Sequence, residues 1–139
     1  MAQPVINYLA VLVSAVIGMV IGALWYSPLL FGRMWMKLSG MTEKQLNEAK
    51  KKSMGKMYFV AFIGVLLMSY ILAHFVDYTD STTFSMGMQT GVWLWLGFIV
   101  PILIGGVLWE NKSVKLYIIN IAHYLVVLSV IGGILAVWV

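Results

Sequence analysis

Charge is confined to two short windows of this chain. All nine Lys and Arg residues fall between Arg33 and Lys56 or between Lys112 and Lys115. Four long apolar stretches around those windows are almost free of charge. A soluble domain carries about 25% charged residues; here the share is 10%, with 62% hydrophobic. A chain of this kind is solvated by lipid. Its 139 residues are consumed by four crossings of roughly 20 residues each, which reads as a single integral membrane domain over residues 1–139.

The expected spans are residues 5–26, 57–76, 86–109 and 116–138. Each has roughly 20 to 24 residues, enough to cross a ~30 Å hydrocarbon core as a helix. Barrel strands are about half as long and alternate polar with apolar residues. The predicted class is therefore all-α, a four-transmembrane-helix bundle. Residues 1–32 carry no charge. A signal peptide needs a basic leading region, so the first apolar run reads as a retained span.

Orientation follows from the loops. Loop 1 holds Arg33, Lys37, Lys44, Lys50, Lys51, Lys52 and Lys56; loop 3 holds Lys112 and Lys115; loop 2 holds only Asp77 and Asp80. Loops 1 and 3 share a side, so every basic residue lies there. The positive-inside rule puts them in the cytoplasm and both termini outside, in an inner (cytoplasmic) membrane. The basic loop 33–56 is expected to attract anionic lipid head groups. The same distribution argues against nucleic acid as a partner.

Loop 1 has helical character. Phe31, Met34, Trp35 and Leu38 share one face, the pattern of a short helix lying in the interface. Thr42 and Gln45 have the spacing of a capping box that opens a second short helix toward Lys52. One or two cytoplasmic interfacial helices between spans 1 and 2 follow.

Within span 1, Ala10, Ser14, Gly18 and Gly22 recur every fourth residue. Such a stripe lets another helix backbone approach closely. That helix could belong to the same chain or to a second copy, and a homo-oligomer is expected. Gly132, Gly133 and Ala136 form a smaller patch in span 4. Pro101 inside span 3 removes the donor to Gly97 and predicts a kink.

Span 4 places Asn120, His123 and Tyr124 within one turn, at the depth of Glu110, Trp25 and Tyr26. Intramembrane polar residues are costly and mark candidate sites; interhelical hydrogen bonding is the structural alternative. His123 would be the proton-linked group and Glu110 the cation partner. Nearer the opposite face lie Asn7, His74, Asp77 and Gln89, with His74 and Asp77 spaced to pair. They lack the ligand set of a metal site. The absence of Cys excludes thiolate chemistry. No GxSxG, HExxH or P-loop motif is present, so the chain reads as non-enzymatic, without metal or cofactor.

From Trp25-Tyr26-Ser27-Pro28 through Phe31-Gly32 to Trp35, preceded by Asn7-Tyr8, the sequence resembles a prokaryotic family of small four-helix membrane proteins catalogued only as a domain of unknown function. Glu110 and Asn120 also resemble that family's pattern. The resemblance implies a four-span fold and brings no substrate, cofactor or catalytic residue. The leading expectation is a small homo-oligomeric transporter or channel, with Asn120, His123 and Glu110 at its inner vestibule. The alternatives are a binding or sensory module for a lipid or apolar molecule, and a non-catalytic accessory subunit.

Overall fold

The computed structural model describes residues 4–51 and 54–138; Lys52 lies outside them. Four helices are long and apolar enough to cross a membrane, Tyr8–Trp25, Gly55–Tyr78, Phe84–Trp109 and Val114–Val137. Their ends lie within three residues of the limits read from the sequence. The chain is an all-α, multi-pass membrane protein.

Helix α1 (Tyr8–Trp25) opens on Asn7, whose side chain accepts from the Ala10 amide at 3.1 Å and satisfies an orphan donor of the first turn. It ends in a compact turn in which the Phe31 amide donates to the Trp25 carbonyl at 2.9 Å and the Gly32 amide to the Ser27 carbonyl at 2.9 Å. A Cβ on Gly32 would overlap the Tyr26 carbonyl oxygen. Only glycine fits this crossing.

Both short helices of loop 1 form. Helix α2 (Gly32–Ser39) stops at Gly40, which adopts φ 77°, a left-handed cap that glycine takes without strain. Helix α3 (Glu43–Lys51) starts with the capping box: the Thr42 amide donates to Gln45 Oε1 at 3.0 Å, and the Gln45 amide to Thr42 Oγ1 at 3.1 Å.

Helix α4 (Met54–Tyr78) is the second span. The third is not a single α-helix. It runs as α5 (Phe84–Leu94), a π-helical turn (Trp95–Ile99), α6 (Val100–Leu103) and α7 (Gly105–Trp109). Pro101 has no N–H to offer Gly97, and the distortion the sequence predicts takes the form of this π-turn. The Val100 amide reaches back five residues to the Trp95 carbonyl.

Helix α8 (Val114–Val137) is the central element, in contact with α1, α4 and α5. Ala10, Val11, Leu72, Val127, Leu128 and Ile131 make the shared core. The span 1 stripe is used inside the chain: a Cβ on Gly18 would sit 2.8 Å from Val65 Cγ1 and 3.1 Å from Ile131 Cδ1. The closest approach is between α5 and α8. A Cβ on Gly87 would overlap the Gly132 carbonyl oxygen, and one on Gly91 the Leu128 carbonyl oxygen. Gly87 and Gly91 form a GxxxG pair, the small-residue signature of backbone contact in lipid. Large apolar side chains such as Phe59, Trp93, Phe98 and Ile102 point outward, where lipid is their solvent.

Candidate functional site

The polar candidates gather at the end of the bundle that carries loops 1 and 3. Tyr26 closes α1 and donates its hydroxyl hydrogen to Asn120 Oδ1 at 2.7 Å. Trp25 Nε1 donates to the Ile119 carbonyl at 3.1 Å. One turn of α8 is thereby held by two consecutive aromatics of α1. From the other side, Trp95 Nε1 of the π-turn donates to the Ile121 carbonyl at 2.6 Å. Tyr117 in turn donates to the carbonyl of Val100, the residue that follows the π-turn, at 2.8 Å.

His123 packs into an aromatic box. Its ring centroid lies 5.2 Å from Tyr26, 6.3 Å from Trp25 and 4.8 Å from Tyr124. It faces Gly22, where a Cβ would stand 3.3 Å from Nε2. Both ring nitrogens are buried, and among the described residues neither has a hydrogen-bond partner. Ser14 and Ser69 Oγ, deeper in the core, are likewise buried and unpartnered. An imidazole in this state costs stability, and water or a ligand could satisfy it.

Glu110 does not meet His123. It pairs with Lys112 at 3.0 Å, both side chains more than half exposed. It reaches the cluster only through a cleft of about 390 Å³ that Glu110, Lys112, Tyr117 and Asn120 line together. Asn120 is thus the shared residue, bound to Tyr26 on one side and facing the cleft on the other. Toward the opposite end, His74 hydrogen-bonds through Nδ1 to the Tyr70 carbonyl at 2.8 Å, so the spacing with Asp77 is not used as a pair. Among the described residues, no three His, Cys, Asp or Glu side chains come together as metal ligands.

A second cavity flanks Tyr26. It lies between the interfacial helices and the start of α4, measures about 700 Å³, and is lined by Tyr26, Trp35, Leu46, Met57, Tyr58 and Ala61 among others. The Trp35 ring meets Tyr26 edge-on at 6.2 Å. The amphipathic face of α2 signals Trp35 in the sequence. The groove itself needs the turns at Gly32 and Gly40, which set α2 against α8 and α3 against α4.

A family model described as "Protein of unknown function (DUF1761)" matches residues 9–136. The chain belongs to that family. The match takes in both short helices and all four spans except the end residues Tyr8 and Val137, so the groove, the aromatic box and the cleft lie within the family's own region. No curated protein and no solved structure matches the chain.

Proposed function

We propose that this DUF1761 protein is a non-catalytic membrane binding module that holds an apolar or amphiphilic small molecule at its basic end. One observation carries the reading, the groove of about 700 Å³ between α2–α3 and α4. Its volume falls in the range of roughly 300–1,000 Å³ typical of small-molecule sites. Aromatic and aliphatic side chains make its walls. Tyr26 is anchored to Asn120 behind it, which gives the groove a fixed back wall.

Native mass spectrometry of protein released from membranes in mild detergent tests this reading. A reproducible adduct on the wild type that is lost in Ala61→Trp is the expected result. Ala61 is exposed and lines the groove, so the indole fills the site and leaves the core alone. Equal spectra for the two proteins, with or without adducts, would sink the reading.

A small homo-oligomeric transporter or channel is the second reading. It is favoured by the unpartnered imidazole of His123 and by a third span broken at the π-turn and again at Ile104, since discontinuous helices accompany transport sites. Proton flux into dye-loaded vesicles that disappears in His123→Leu would support it; identical flux in protein-free vesicles would not.

A further inference from the structure

The groove is apolar inside, and the helices that cover it are basic. Residues 33–56 carry seven basic side chains against two acidic ones, Glu43 and Glu48. Arg33 and Lys37 stand one turn apart on α2, Lys44 and Lys51 lie on α3, and Lys56 precedes the groove residue Met57. All five are exposed. Among the described residues none of the five is ion-paired; the pair found there is Lys112 with Glu110.

Depth adds a second constraint. Trp35 and Tyr58 line the groove, and amphipathic rings of this kind settle at head-group level. Helices α2 and α3 precede the second span, whose first turns form the facing wall. A molecule lying between them straddles the boundary between head groups and acyl chains. A wholly apolar molecule would leave the exposed basic side chains of these same helices without a counter-charge. A free phosphate would leave the apolar walls empty. A tail joined to an anionic head satisfies both, and the bilayer itself supplies it.

We infer that the groove holds one anionic phospholipid per chain, an acyl chain between α3 and α4 and the head group among the basic side chains of α2, α3 and the first turns of α4. This rests on the binding reading above and adds the ligand's class. The apolar walls provide retention. The unpaired ammonium and guanidinium groups provide selectivity over zwitterionic lipid, about fivefold for each residue near the surface.

The test uses nanodiscs of equal phosphatidylglycerol and phosphatidylcholine, with retained lipids counted by native mass spectrometry. The wild type is expected to keep one phosphatidylglycerol per chain in preference to phosphatidylcholine. The double variant Lys44→Gln/Lys56→Gln is expected to lower that preference at least tenfold while still keeping phosphatidylcholine. Lys112→Gln/Lys115→Gln removes the same charge away from the groove and is expected to leave the preference intact. Equal retention of the two lipids by the wild type, or the same loss in both double variants, overturns the anionic inference and leaves the groove as a general apolar site. Lipid counts that do not change in Ala61→Trp overturn the binding reading as well.

Discussion

Gly87 of α5 and Gly132 of α8 lie backbone against backbone, with room for a side chain on neither. Gly91 repeats the contact one turn on, against the Leu128 carbonyl. In lipid there is no hydrophobic drive to bring helices together, so close packing of small residues has to supply it. The third span is otherwise the least buried of the four, and these two glycines hold it to α8.

Gly87→Ala is therefore expected to destabilise the protein by about 2 kcal/mol or more, because the added methyl meets backbone rather than a side chain that can rotate away. Gly64→Ala is the matched control. Nothing lies within 4 Å of a Cβ there, so the change is expected to be neutral or to stabilise by up to about 1 kcal/mol through helix propensity. Thermal unfolding in detergent separates the two, and equal midpoints would contradict the packing described.

His123→Leu is expected to leave stability unchanged or raise it by about 1 kcal/mol. The imidazole nitrogens are buried without partners, and replacing such a group by an apolar one of similar volume removes a desolvation cost. A clear fall in the unfolding midpoint would mean that ordered water or a bound molecule pairs with the ring.

Tyr26→Phe keeps the aromatic wall and removes the 2.7 Å bond to Asn120. A loss of about 1 kcal/mol in stability is expected, with lipid retention in the groove preserved. Trp35→Ala is expected to do the reverse, lowering retention with little effect on unfolding, since Trp35 belongs to the interfacial helix α2.

Much of the fold is legible in the residues, and the reasons differ by element. Spans are set by where charge is tolerated, a property of composition alone. The first turn of α3 follows from Thr42 and Gln45, a local reciprocal bond that needs no tertiary context. The distortion at Pro101 is a local loss of one donor. Contacts across the sequence are a different matter. Gly87 and Gly91 have the same spacing as the span 1 stripe, and their signal was available; their pairing with Gly132 and Leu128 was not. Trp95 reads as one more aromatic, because its partner is a backbone carbonyl 26 positions away. The Tyr26–Asn120 bond joins residues 94 apart. Shared depth in the membrane could bring the two to one level, but only the packing of α1 on α8 selects the pair. Equal depth likewise groups Glu110 with His123 in one polar cluster, whereas the side chain that Glu110 meets is Lys112, two residues away.

The charge distribution also makes an orientation testable. The chain contains no cysteine, so single introduced thiols report cleanly. Lys44→Cys on the basic side is expected to resist a membrane-impermeant maleimide in intact cells, and Thr82→Cys in loop 2 to react. The opposite pattern would place the groove and the basic loop outside.

A density map of the protein in nanodiscs of mixed anionic and neutral lipid tests the binding groove most directly. Elongated density between α3 and α4, against Trp35 and Met57 and ending near the basic side chains of α2, is the expected result. Helices α2 and α3 packed flat on α4, with no cavity between them, would contradict it.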